Sequence, residues 1–248
     1  MNIAVLIKLV PDTQANLKIS NDGNSISLTD LNMVLNVYDE FAVEEALKIK
    51  EKHGGKVTVI TMGDDASIKA LRNALAMGAD EGVHIKKAAD FDILSTAKVL
   101  ASSLKDKGFD IIFAGKQAVD DDCGAVGPMI AELLGYPHVS AVSSLEVTTD
   151  NLTAKRAIEG GVEVFEMSLP ALITTEKGLN EPRYASLKGI MMSKKKKIEV
   201  VEADAPPSRV EVISLKHPAV RPPGKIVGKG VEAVPELIRL LKMEAKVL

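Results

Sequence analysis

The sequence predicts an α/β protein: a parallel sheet with helices on both faces, then an antiparallel hairpin extension, then an extended C-terminal arm closing in a helix. Three observations carry this. Over the first 143 residues, short β-branched runs alternate with amphipathic segments of helical period. Beyond residue 143 the period falls to two, with turn signals at "TTDN" and "EGG". Residues 202–229, within "EADAPPSRVEVISLKHPAVRPPGKIVGKG", are studded with Pro and Gly and cannot build a core of their own.

The strands are expected at "IAVLIKLV" (3–10), "KVTVIT" (56–61), "GVHI" (82–85), "FDIIF" (109–113) and "HVSAV" (138–142). The first helix lies in "DEFAVEEALKIKEKHG", where Phe41, Val43, Ala46, Leu47 and Ile49 share a face and Gly54 is the stop. In "DDASIKALRNALAMGAD", Asp65 is placed to cap the start, and Ile68, Leu71 and Leu75 form a stripe ending near Gly78. "DILSTAKVLASSLKDKG" repeats the plan and ends at Gly108. "SLEVTTDNLTAKRAIEGGVEVFEMSLPALITT" is expected as an antiparallel hairpin or meander beside the parallel sheet. No regular period survives over 175–197. The closing "VEAVPELIRLLKMEAKVL" is an amphipathic helix whose Leu237, Ile238, Leu240 and Leu241 need a covering face, on a partner or on their own domain.

Composition narrows the function. The chain has 248 residues, 46% hydrophobic and 26% charged, as a globular protein with an ample core would. A formal net charge of −3 and only 3% aromatic residues, with no Trp, argue against nucleic-acid binding. The single cysteine, Cys123, excludes an internal disulfide framework and fits a reducing compartment. "MNIAVLIKLVPD" is too short for a signal sequence and is interrupted by Lys8, and no run is long enough to span a membrane. A cytoplasmic protein is therefore expected, without membrane insertion. Four scattered histidines make no metal-ligand spacing.

Chemistry concentrates in "AGKQAVDDDCGAVGP" (114–128), which follows an apolar strand and precedes a helix. Gly115 and Gly124 let backbone approach a bulky anion, and the helix after them offers free N–H groups. Three aspartates repel a phosphate and must point elsewhere. Asp122 is the simplest helix N-cap, and another can accept from a ribose hydroxyl. The bland alternative is that all three only fix the loop. Neither a P-loop nor a GxGxxG spacing is present.

A second feature is "EKGLNEPRYASLKGIMMSKKKKIE" (176–199). Arg183, Tyr184 and four lysines, Lys194, Lys195, Lys196 and Lys197, surround Leu187, Ile190, Met191 and Met192. A soft apolar group ringed by positive charge suits transient docking to an acidic partner. The competing interpretation is a solvated lysine face over ordinary core.

Five stretches together resemble the electron transfer flavoprotein beta subunit: "LNVYDEFAVEEALKIKE" (35–51), "ALAMGADEGVHI" (74–85), "GKQAVDDDC" (115–123), "RAIEGGVEVFEMSLPALIT" (156–174) and "LNEPRYASLKGIMMSKKKKIE" (179–199). The resemblance covers nearly the whole chain. It implies a Rossmann-like, adenine-nucleotide-binding (HUP-type) sheet and an electron-carrying rather than catalytic role. The implied partner is an alpha subunit in a heterodimer, with FAD at the interface and AMP in this subunit. Electrons would come from acyl-CoA and related dehydrogenases and leave to a quinone oxidoreductase. The implied nucleotide contacts are Leu6, Asn36, Val37, Tyr38, Asp39, Met62, and then Gly115, Lys116, Gln117, Ala118, Val119, Asp120, Asp121, Asp122, Cys123, Gly124, Ala125 and Val126. Tyr38 matches a position that approaches the partner's flavin. Leu187 matches the anchor of a docking loop at 176–198, with Tyr184, Arg183, Ile190, Met191 and the four lysines around it.

Two departures keep an alternative open. AMP-binding relatives carry Asn-Gln-Thr where this chain has Gly124, Ala125 and Val126, and the "VGP" ending resembles members that hold a second FAD and bifurcate electrons. "DDDC" and the lysine loop resemble the AMP branch, which the longer match favours. Outside the family, an ATP-using enzyme lacks its pyrophosphate loop here, since "KLVPDTQ" follows the first strand. A homodimeric stress-type nucleotide-binding module would leave 176–198 unexplained. The expected organisation is a nucleotide-binding unit over 1–200 and an arm and helix over 201–248 that contact the alpha subunit. In a eukaryote the compartment would be the mitochondrial matrix.

Overall fold

The β-branched runs of the first half pair side by side, and the amphipathic segments between them coil onto the two faces they create. The computed structural model describes residues 1–87, 91–204, 206, 208–221 and 223–248. In chain order the first half gives β1 (Asn2–Leu6), β2 (Leu9–Pro11), β3 (Lys18–Ile19), β4 (Ile26–Ser27), β5 (Met33–Leu35), α1 (Val37–His53), β6 (Lys56–Gly63), α2 (Ile68–Met77), β7 (Glu81–Lys86), α3 (Ile93–Leu104), β8 (Ile111–Gly115) and α4 (Val126–Leu134). The second half gives β9 (His138–Val142), β10 (Ser144–Val147), β11 (Asn151–Ile158), β12 (Gly161–Ser168), β13 (Ala171–Thr175), α5 (Leu187–Ser193), β14 (Ile198–Glu202) and α6 (Val234–Leu240).

Seven strands form the central sheet in the order β14-β7-β6-β1-β8-β13-β9. Every pairing in it is parallel. Such strands are covered on both faces, and Ile3, Val5, Ile111, Phe113, Leu172 and Ile173 are fully buried accordingly. One apolar cluster joins Val43, Leu47, Leu71 and Leu75 of α1 and α2 to Phe113 and Ile173. The other joins Leu100, Leu104 and Ile130 of α3 and α4 to Ile112 and Leu172. Each such side chain contributes about 1.5–3 kcal/mol of burial. The chain runs from β1 outward through β6 and β7, then returns to β8 on the other side of β1. The carboxyl ends of β1 and β8 therefore flank the topological switch point.

Several expectations need correction. The apolar run 3–10 is not one strand: β1 stops at Leu6, and Leu9–Pro11 pairs antiparallel with β5. Ala171–Thr175 does not finish the meander but lies parallel between β8 and β9. All five of its residues are buried, so the alternation that marks a one-sided strand is missing. The antiparallel meander is β10-β11-β12 alone. Asp64, not Asp65, caps the turn before α2, accepting from Ala66 N–H at 3.1 Å, while Asp65 pairs with Lys86. The aperiodic 175–197 contains α5, capped by Ser186 Oγ accepting from Gly189 N–H. The C-terminal segment is helical over α6 and a π turn at Leu241–Ala245; Leu240 is buried, whereas Leu237 and Ile238 stay exposed. The arm before it touches its own chain where Arg209 N–H donates to Asp92 and Leu215 N–H to Gly23 O.

Candidate functional site

Asp39, in the first turn of α1, is buried beneath the switch point. Its Oδ2 accepts Lys8 N–H at 2.7 Å, just where the chain leaves β1. Its Oδ1 accepts Gly115 N–H at 3.0 Å, at the end of β8, and Asn36 Nδ2 at 2.9 Å. Burial pushes the carboxyl up to about 7, against the opposing pull of Asn36 and the two backbone N–H donors. Asn36, also buried, donates to Gln117 O at 2.9 Å and accepts Val119 N–H at 3.2 Å. One helix start thus holds both strand ends and the loop after β8. Gly115 has to be glycine for this approach: an added Cβ would stand 2.7 Å from Tyr38 Cβ.

Above this latch lies a cavity of about 240 Å³. Leu6, Ile60, Met62, Phe91 and Leu100 make an apolar wall, and Lys8, Asn36, Asp39 and residues 115–118 face them. Asp121, Cys123, Gly124 and Val126 close the rim. Gly124 has φ of 63°, and α4 begins at Val126 with no side-chain cap on its first N–H groups. Val37, Tyr38, Val119, Asp120, Asp122 and Ala125 stand around the cavity without lining it.

Each of the three aspartates has a partner within the loop or on Lys8, although Asp121 also lines the cavity. Lys8 Nζ pairs with Asp120 at 2.8 Å and Asp121 at 3.0 Å. Burial works against the Lys8 ammonium, but these hydrogen bonds and charges outweigh it and raise its pKa. Asp122 is not the helix cap: it sits at φ 50°, four residues before α4, and accepts from Gln117 Nε2 at 2.6 Å. The loop turns at Gly124 before the helix starts, which puts Asp122 out of reach of the first N–H groups. Lys8 is the residue sequence reasoning missed, though a lysine interrupting an apolar strand was its signal. Phe91 and Leu100 carried no such signal, because a helical stripe does not announce which cavity it walls.

The segment 176–198 projects its apolar residues. Leu187 is 83% exposed, Tyr184 99% and Met191 71%, with Ile190 also exposed. Its charged residues divide into two sets. Arg183 forks onto Glu44 of α1, with Nε to Oε2 at 2.8 Å and Nη2 to Oε1 at 2.9 Å, and also reaches Glu51. Lys196 Nζ donates inward to Leu75 O at 3.0 Å and to Ala79 O. Lys194, Lys195 and Lys197 are exposed.

A parallel sheet with helices around it and a cavity at its switch point places the chain among the Rossmann-like α/β proteins. The match to known proteins is narrower. A family model described as "Electron transfer flavoprotein domain" matches residues 25–206. The chain is 40% identical to an electron transfer flavoprotein subunit beta of Bacillus subtilis, covering 100% of both chains. It is 38% identical to a mitochondrial one of Arabidopsis thaliana, again over 100% of each. With that of Mus musculus it shares 37% identity over 96% of this chain and 95% of the relative.

The chain belongs to the electron transfer flavoprotein family as a beta subunit. It is an electron-carrier subunit, not a catalyst by itself, and its family implies an alpha-subunit partner. The ATP-using enzyme and the homodimeric module fall with this assignment. Among the described residues no helix is long and apolar enough to cross a membrane.

Proposed function

We propose that this subunit holds AMP at the switch point, completes with its alpha subunit the interface that carries FAD, and docks electron donors through Leu187. The observation that carries the nucleotide reading is the cavity itself. Its apolar wall suits a base, and the loop with Gly124 and the uncapped start of α4 offer backbone N–H groups to a phosphate. Asp120, Asp121 and Asp122 are already engaged with Lys8 and Gln117, so a phosphate meets partly neutralised charge. At about 240 Å³ the cavity falls just below the usual range of small-molecule sites, which starts at about 300 Å³. That size favours a mononucleotide over a second FAD.

FAD, when bound, supplies the electron-accepting ring. In this reading Tyr38 and Lys116 face it from this chain, held by Thr175 Oγ1 donating to Tyr38 O and by the Lys116–Glu176 pair. Donors are acyl-CoA and related dehydrogenases, and the acceptor is a quinone oxidoreductase. The exposed arm and α6 cover part of the alpha subunit. The protein works in the cytoplasm, or in the mitochondrial matrix of a eukaryote. Acid release and mass spectrometry of the purified heterodimer test the central claim. About one AMP and one FAD per heterodimer is the expected result. Two FAD and no AMP would assign the cavity to a second, bifurcating flavin.

A further inference from the structure

Lys116 follows β8 and lines the cavity, yet its ammonium is spent on the other side. It pairs with the Glu176 carboxylate and lies 4.8 Å from the centroid of the Tyr38 ring. Glu176 is the first residue after β13, at the start of the segment that carries Leu187. Both side chains of the pair are 26% exposed, so water screens them only in part. The backbone repeats the connection, since Lys116 N–H donates to Thr175 O at 3.0 Å. Farther along, the segment is tied to α1 rather than to the cavity loop. Asn180 Nδ2 donates to Phe41 O at 3.0 Å and to Glu45 at 2.9 Å, and Arg183 clamps Glu44.

We propose that Lys116 links the two sites. Glu176 and an anion in the cavity compete for one ammonium, so a nucleotide phosphate loosens the start of the docking segment. Reciprocally, releasing Lys116 from Glu176 tightens the nucleotide. Because Asn180 and Arg183 hold their own partners, the loosening is confined to residues 176–179. Charge is what the link senses, so adenosine, which lacks a phosphate, leaves it unmoved. The inference rests on the nucleotide reading above and adds to it the regulation of that site.

The test is calorimetry on the heterodimer freed of endogenous nucleotide, titrated with AMP and with adenosine. Glu176→Gln should bind AMP about fivefold more tightly, at the lower end of measured couplings between sites. Adenosine affinity should not change, and Glu176→Asp should return AMP affinity to the parent value. Amide exchange at 177–179 should quicken in Glu176→Gln, and in the parent on adding AMP but not adenosine. If the parent binds AMP and Glu176→Gln binds it equally well, the link is wrong while the nucleotide site stands. A parallel shift for AMP and adenosine would make Glu176 a merely structural residue and overturn the link. A parent that binds no AMP would overturn the nucleotide site and the link together.

Discussion

Asp39 Oδ1 accepts the Gly115 N–H at 3.0 Å, bonding the first turn of α1 to the end of β8. With Oδ2 on Lys8 N–H, the same carboxyl spans both strands that flank the switch point. A buried carboxylate costs solvation free energy, and three N–H donors offset only part of it. The site is therefore built around a group whose ionisation the fold resists.

That resistance has a measurable sign. The folded pKa of Asp39 is pushed up to about 7 from an ordinary 3.8, so between these values the native state binds the extra proton. Its stabilising share is complete below pH 3.8 and is lost as pH rises through 7. Urea unfolding from pH 5 to 8 should show parent stability falling relative to Asp39→Asn, by at most about 1.4 kcal/mol per pH unit for one proton. Parallel curves for the two proteins would show that Asp39 stays ionised throughout.

Gly115→Ala tests the close approach. The added Cβ would meet Tyr38 Cβ at 2.7 Å and Tyr38 C at 2.9 Å, which are fixed parts of α1. The helix start must retreat, at about 1–3 kcal/mol for overpacking, and the Asp39 bond lengthens with it. Thermal melts should show a lower midpoint and a smaller upward shift on adding AMP. Gly161→Ala is the control for space alone, because nothing stands within 4 Å of its added Cβ and its φ is not left-handed. A Gly115→Ala protein as stable and as AMP-responsive as the parent would remove the steric argument.

How much of this was legible follows from where the information lies. Helices buried on one face wrote their period into the chain, so α1 and α2 were visible through Leu47 and Leu71, while the first-half strands showed only as short β-branched runs such as the one holding Val59. Ala171–Thr175 was misplaced because a strand buried on both faces has no period, and its neighbours were antiparallel. Asp122 was misassigned as a cap because spacing alone cannot show a left-handed turn at Gly124. The Lys8 pairs and the Lys196 anchor join residues far apart in sequence, and although Lys8 stands out in an apolar run, nothing local names the partners of either lysine. The acidic glycine loop was readable as a candidate site because its composition conflicted with simple packing, and the structure puts part of it on the rim of a cavity.

Arg183 lies in the proposed docking segment, yet its geometry assigns it to the fold. Glu44 is buried, and hydrogen bonds to Glu51 and Glu44 hold the guanidinium charged, raising its pKa. Arg183→Ala strands the Glu44 carboxylate and should cost about 2 kcal/mol, within the range for an unpaired buried group. Arg183→Lys keeps the charge without the fork and should recover only part of it. Denaturant melts measure this directly. An Arg183→Ala protein of parent stability, with weakened donor binding alone, would return Arg183 to the docking surface.

Docking itself separates residues that look alike in sequence. Leu187 is 83% exposed and adds little to the fold, so Leu187→Ala should leave the melting temperature and flavin absorbance unchanged. As an anchor entering a donor's apolar pocket it should be worth about 2 kcal/mol of association, a loss of roughly 30-fold in affinity. Neutralising Lys194, Lys195 and Lys197 should instead slow encounter and flatten its dependence on salt. Lys196 should behave as neither. Burial lowers its pKa, and its Nζ satisfies the Leu75 and Ala79 carbonyls near the end of α2, so Lys196→Ala should destabilise the protein with little change in salt dependence. Stopped-flow reduction of the heterodimer by a reduced acyl-CoA dehydrogenase, at several ionic strengths and beside thermal melts, reads all three. Parent-rate reduction of Leu187→Ala at subsaturating donor would move the docking site off this segment. A lysine set in which position 196 steers as strongly as the others would show that its anchor opens in solution.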